Sequence, residues 1–160
     1  MATIQEAIEL RTAGQPEEAK EILLGLLAQS PDDPEILYQL AWVHDLMGLE
    51  GEAVPYYEKA ISSGLKNPER CGALLGLGST YRTLGMYDKS KGILEQGLQE
   101  YPEAREFNVF YAMTLYNLGQ YDKAMALLLK EIGETSNDEG IKSYRKAIAF
   151  YSDKLDQIWK

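Results

Sequence analysis

Four glycines, Gly14, Gly48, Gly85 and Gly119, stand 34, 37 and 34 residues apart, and a period of that size confines a chain to a stack of similar units. Other residue types keep the same register. Seven residues before the glycines lie Ala7, Ala41, Gly78 and Ala112, and five after them lie Ala19, Ala53, Ser90 and Ala124, all small. Nine after them come the bulky Leu23, Tyr57, Leu94 and Leu128, while Pro31, Pro68 and Pro102 stand before the next unit. Between these marks apolar residues recur at helical spacing, as in Leu37, Leu40 and Ala41 or Leu74, Leu77, Gly78 and Tyr81. Each unit therefore reads as helix, glycine turn, helix, proline break.

These columns fit one packing scheme. A small residue where two helices cross lets their backbones approach, and the bulky residue beyond the turn fills the space toward the next pair. Glycine accepts the positive φ that closes a helix C-terminus, and proline marks a gap where no amide donor is needed. A single pair cannot bury its faces, so the pairs must stack into an all-α solenoid. The expected organisation is one domain over 1–160, with repeats 1–33, 34–70, 71–104 and 105–138 and a capping helix over about 139–160. In that last helix Ile141, Tyr144, Ala147, Ile148, Tyr151, Leu155, Ile158 and Trp159 would share an arc of roughly 120°, the width of a one-sided buried face, with Phe150 outside it.

Composition excludes several functions. The 16 basic and 25 acidic residues leave a net charge of −9, which repels phosphate backbones, so nucleic acid is not an expected partner. By segment the charge runs −5, −3, −1, −2 and finally +2 in the tail. No stretch has the apolar length of a membrane span, and Met1–Glu6 lacks the basic start and apolar core of a signal peptide, so the expected location is cytoplasmic and no membrane partner is expected.

Catalytic chemistry finds no constellation either. His44, the only histidine, has Leu40, Ala41, Met47 and Gly48 at helical neighbour positions and shares a column with Leu10, Tyr81 and Leu115, so it reads as a packed residue and not a ligand. Cys71 is the only cysteine, with Asn67, Pro68, Leu74 and Leu75 around it and no base to activate it. Gly76-Leu77-Gly78-Ser79-Thr80 falls inside a helix and lacks the Gly-Lys-Ser/Thr that a phosphate loop needs. Glu17-Glu18 and Asp32-Asp33 fall at a helix start and a repeat break, where carboxylates favour the following helix dipole. The expectation is no enzyme, no metal and no cofactor.

The third unit, Ala73 to Ser90 through Gly78, Tyr81, Gly85 and Tyr87-Asp88-Lys89, resembles the tetratricopeptide repeat family, as do Tyr56-Tyr57-Glu58-Lys59-Ala60 and Gly119-Gln120-Tyr121-Asp122-Lys123-Ala124. With Tyr38-Gln39-Leu40-Ala41-Trp42 and the closing Tyr144 to Tyr151, the whole is similar to the small bacterial group 5 members of that family. Departures are three extra residues around 64–67, Ser136 in place of a proline, and Glu131 in a usually small column. The resemblance implies a right-handed superhelical solenoid of four helix-turn-helix repeats whose first helices line a concave groove, where segments of other proteins lie.

In the register of that resemblance the partner-binding groove consists of Tyr38, Gln39, Trp42, Gly72, Gly76, Ser79, Arg82, Met113, Tyr116 and Asn117, with Arg11, Asp45 and Leu46 on the same face. The lysine, arginine and asparagine cluster by which related repeats grip a C-terminal carboxylate is absent, because Ile4, Ile8, Gln39, Gly72 and Gly76 occupy those surfaces. Gly72, Gly76, Ser79 and Thr83 form a strip of small side chains on one helix face, a trough between aromatic walls. Glycine inside a helix costs about 1 kcal/mol relative to alanine, so two on one face imply close approach by a ligand segment or by the chain's own neighbouring helices. The expected function is a non-enzymatic interaction module or adaptor binding an apolar, aromatic protein segment. The alternatives are a chaperone dedicated to secreted subunits, or a small-molecule binder or enzyme in the same concavity. The apolar tail adds an expected homodimer.

Overall fold

A computed structural model describes residues 1–160, which form ten helices and no strands. They are α1 (Ile4–Thr12), α2 (Pro16–Gln29), α3 (Pro34–Leu46), α4 (Glu50–Ser62), α5 (Glu69–Thr83), α6 (Tyr87–Glu100), α7 (Glu106–Asn117), α8 (Tyr121–Thr135), α9 (Glu139–Ser143) and α10 (Arg145–Tyr151). Two compact units divide the chain, Met1–Ile93 and Leu94–Lys160, the division falling within α6. No helix is long and apolar enough to cross a membrane.

The four periodic glycines all adopt φ between 70° and 81°. In each turn the glycine N–H returns to the carbonyl three residues back and the following N–H to the carbonyl five back, which satisfies two carbonyls that the helix end would otherwise orphan. The five-back acceptors are Leu10, His44, Tyr81 and Leu115, one column of the repeat. A fifth turn of the same kind, at Gly64 with φ 86°, closes α4 and accounts for part of the extra length before α5. Helix starts are set locally as well. Thr3 Oγ1 accepts from Glu6 N, and Asp33 Oδ1 accepts from Glu35 N at 2.9 Å and Ile36 N at 3.2 Å, with Pro34 at the first helical position.

In the first unit α1 packs on α2, α2 on α3, α3 on α4 and α4 on α5, while α1, α3 and α5 lie side by side. The small columns sit where the helices cross, with Ala7, Ala19, Ala41, Ala53 and Ser90 all buried. Where the third pair has Gly78 and Ser90, the Ser90 hydroxyl donates to the Gly78 carbonyl at 2.7 Å and ties α5 to α6. Leu23, Leu37, Leu40, Leu74 and Leu77 are fully buried between the pairs, each contributing about 1.5–3 kcal/mol of burial.

The second unit pairs α7 with α8 around Ala112, Leu115 and Ala124 and buries Phe107, whose ring occupies the space that a Cβ on Gly97 would need. Glu131, the departure from a small column, accepts from Arg105 and from Asn108, both at 2.9 Å, and so becomes a polar tie between α7 and α8.

The tail corrects the sequence-based expectation of one long capping helix. Asp138 caps α9, the helix breaks at Tyr144 (φ −104°, ψ 12°), and helical structure ends at Tyr151. Gly133 on α8 lies against Ile148 and Arg145 of α10, and the Gly133 carbonyl accepts from Arg145 Nε at 2.6 Å. After Tyr151, bonds from Lys154 N to the Tyr151 carbonyl and from Lys154 Nζ to the Phe150 carbonyl replace the helical ladder and turn the chain. Trp159 then lies 5.5 Å from Tyr151 and 6.2 Å from Phe150, so the ring that the helical arc left out belongs to the cluster. Tyr144, Leu155 and Ile158, expected in a buried face, are exposed.

Candidate functional site

The first helices of the first unit, α1, α3 and α5, present one continuous face. Two of its expected anchors face inward: Tyr38 is 6% exposed and Gln39 4%. Trp42, one turn further along α3, is 37% exposed, and Leu46 beyond it more so. Trp42 is held from two directions, by Tyr38 at 5.7 Å between ring centroids and by the Arg11 guanidinium 3.5 Å over its own ring.

The glycine strip is no open trough, which corrects the expectation that a ligand segment fills it. A Cβ on Gly72 would collide with the Tyr38 hydroxyl, and one on Gly76 would lie 2.6 Å from Tyr57 Oη and 2.7 Å from its Cζ. The chain's own tyrosines, one from α3 and one from α4, occupy the space. The size exchange is visible in the columns once the contact is known: Tyr57 stands where other units have leucine, and Gly76 where they have Gln5, Gln39 and Phe110. Ser79 and Arg82 are half-buried on α5, and Thr83 is exposed.

Behind this face lies a polar hub that sequence reasoning did not assemble. Tyr57 Oη donates to Asp45 Oδ2 at 2.7 Å, and Thr80 Oγ1 lies 2.9 Å from both Asp45 oxygens and 2.8 Å from the Gly76 carbonyl. The threonine has one proton, so it serves either the carboxylate or the carbonyl at a given moment. Burial pushes the Asp45 carboxyl above its ordinary value, opposed by the bonds from Tyr57 and Thr80. Burial also raises the Tyr57 phenol, and the Asp45 charge beside it adds to the effect. Tyr38 is pushed up to about 12 by burial, with Arg11 opposing. Asp45 thus joins α3, α4 and α5. The residues are 12 and 35 positions from their acceptor, a spacing that no local motif encodes.

In the second unit Met113, Tyr116 and Asn117 lie on α7, all exposed, with Tyr116 edge-on to Tyr121 at 5.0 Å. An open cavity of about 520 Å³ lies elsewhere in that unit, between the first turns of α8 and residues 152–157, lined by Tyr121, Met125 and Leu155 among others. His44 is buried, its Nδ1–H donating to the Leu40 carbonyl at 2.7 Å and its ring 5.1 Å from Tyr56, which is the geometry of a packed histidine.

A family model described as Tetratrico peptide repeat matches residues 34–155, and one described as Tetratricopeptide repeat matches residues 2–43. No curated protein matches the sequence. Among solved structures the chain is similar to YrrB, described as a TPR protein with an unusual peptide-binding site, with a TM-score of 0.73 and 19% identity over 96% of this chain and 77% of that one. It is also similar to MamA 41-end from Desulfovibrio magneticus RS-1, with a TM-score of 0.73 and 18% identity over 94% of this chain and 83% of the other. A further MamA crystal structure gives 0.71 at 15% identity, covering 94% of each chain. At these identities the likeness shows a shared fold.

Proposed function

Because this chain belongs to the tetratricopeptide repeat family, whose fold serves protein–protein interaction, we propose that it is a non-enzymatic adaptor that binds a segment of another protein along its first helices. The observation that carries this reading is Trp42. A large aromatic side chain left 37% exposed and fixed by Tyr38 and Arg11 gives up little rotamer freedom when a partner covers it, as binding hot spots require. Leu46 extends the apolar surface by one helical turn. In the first unit Tyr38, Gln39, Gly72 and Gly76 support this face from beneath, while Trp42, Ser79 and Arg82 supply its surface for contact; in the second unit Met113, Tyr116 and Asn117 are the exposed residues of the first helix, α7. The charge of −9 favours a protein over a nucleic acid as the partner.

The test is a paired affinity purification from the native cell with the intact chain and with a folded Trp42→Ala, Leu46→Ala variant, followed by rebinding of the purified partner. Loss of one partner with the variant supports the reading. Equal recovery of the same partners by both proteins overturns it.

A second reading, self-association, is favoured by the tail. Phe150, Tyr151 and Trp159 pack on one another yet each remains about half exposed, and Ile158 beside them is almost fully so. Such a patch favours an interface between copies of the chain. Sedimentation of the intact chain and of a chain ending at Ser152 tests it, since a dimer built on this patch is lost on truncation, and an intact chain that sediments as a monomer rules it out.

A further inference from the structure

Arg11 is a half-buried cation with no carboxylate to meet it. Burial lowers its pKa, and only the Tyr38 and Tyr57 phenols oppose that effect. The guanidinium lies over the Trp42 ring, and stacking engages its π face while the five N–H donors point outward in its plane. Its Nε is buried without a hydrogen-bond partner. One turn before Trp42, Gln39 is 4% exposed, and its Oε1 is also buried without a partner. Buried polar atoms are almost always satisfied, and an arginine withdrawn from water is costly without an anion. A guanidinium with a buried, unpartnered Nε therefore stands over the most prominent exposed aromatic of the face.

We propose that the bound segment carries an aspartate or glutamate whose side-chain carboxylate pairs with Arg11 at the edge of the Trp42 ring. This inference rests on the adaptor reading and adds the chemistry of the partner. One guanidinium fork matches one carboxylate in two parallel bonds. Asp45 on α3 is turned to Tyr57 and Thr80 and does not pair with Arg11. The net negative charge of the chain does not oppose this, because at physiological salt charges more than about 8 Å apart are largely screened. Recognition is therefore local, an acidic residue set within an apolar segment.

The test uses C-terminally amidated decapeptides of leucine, phenylalanine and alanine in which Glu, Gln or Lys is moved through each position. Binding to the intact chain is read by fluorescence polarisation. The expected result is one position at which Glu binds about tenfold more tightly than Gln, the scale of a charge-assisted pair. Arg11→Gln should shrink that ratio to about twofold or less, and so should Arg11→Met, which keeps an apolar stem over Trp42, while both variants still bind the Gln peptide. The inference is overturned, with the adaptor reading intact, if peptides bind but Glu and Gln are equivalent, or if the preference survives in both Arg11 variants. Absence of binding by every peptide overturns the inference together with the reading beneath it.

Discussion

Two helical glycines of the first unit should respond oppositely to the same substitution. Alanine in place of glycine within a helix gains about 1 kcal/mol in backbone entropy and propensity. At Gly92 a new Cβ meets nothing within 4 Å, so Gly92→Ala should stabilise by about that amount. At Gly76 the new Cβ would stand 2.6, 2.7 and 2.9 Å from three atoms of the Tyr57 ring system, a side chain that is buried and bonded to Asp45. Forcing that ring aside costs about 1–3 kcal/mol in overpacking, and stretching its bond to a carboxylate adds about 1.5–3 kcal/mol. Against the propensity gain of about 1 kcal/mol, Gly76→Ala should lose about 1.5–5 kcal/mol net. For a unit of this size each kcal/mol moves the melting temperature by about 4–8 °C. The assay is thermal unfolding followed by Trp42 fluorescence in a Trp159→Phe background, so that the signal reports the first unit. A Gly76→Ala protein as stable as Gly92→Ala would refute the claim that Tyr57 fills the strip. Adding Tyr57→Leu, the residue type of the other units, should recover part of the loss caused by Gly76→Ala.

Asp45 should give a distinctive pH dependence. Its folded-state pKa is raised, so the folded chain binds this proton more tightly than the unfolded chain, and the ionised group opposes folding at neutral pH. The stability of the wild type relative to Asp45→Asn should therefore rise as pH falls through the raised value toward the ordinary 3.8, and urea titrations across that window that gave a constant or falling difference would contradict it. Ser90→Ala, which restores the alanine of the other units, should cost no more than about 1 kcal/mol, the worth of one neutral hydrogen bond. A loss of several kcal/mol in chemical denaturation would show that the Ser90 to Gly78 tie matters more than its column implies. If the tail patch joins copies of the chain, Trp159→Ala with Ile158→Ser should lower the sedimentation coefficient at micromolar concentration, whereas an unchanged coefficient for an associating chain would place the interface elsewhere.

The repeat was legible because its marks are backbone requirements. A glycine that must adopt positive φ, a small residue at a helix crossing and a proline in a gap admit few substitutes, so Gly14, Gly48, Gly85 and Gly119 disclose the turns directly. The face was only half legible. Periodicity places Tyr38, Gln39 and Trp42 on one side of α3, but which of them a neighbouring helix covers depends on side-chain size in another repeat. Tyr38 and Tyr57 reach across to Gly72 and Gly76, and a pattern read one helix at a time cannot assign that contact. The Asp45 hub escaped for the same reason, since its donors come from two other helices. In the tail, eight apolar positions on one arc satisfied the helical period, yet period says nothing of whether a partner surface is long enough. The two turns of α10 rest on α8 near Gly133, and Trp159 packs back on Phe150 and Tyr151.

The central claim is that partners lie on the first helices. Photo-crosslinking tests it most directly, with benzoylphenylalanine placed in the native cell at Leu46 on α3, at Tyr116 on α7 and, for comparison, at the exposed Glu52 on α4. Adducts to a protein partner are expected from Leu46 and from Tyr116 and none from Glu52. Adducts from Glu52 alone, with Leu46 and Tyr116 silent, would contradict it.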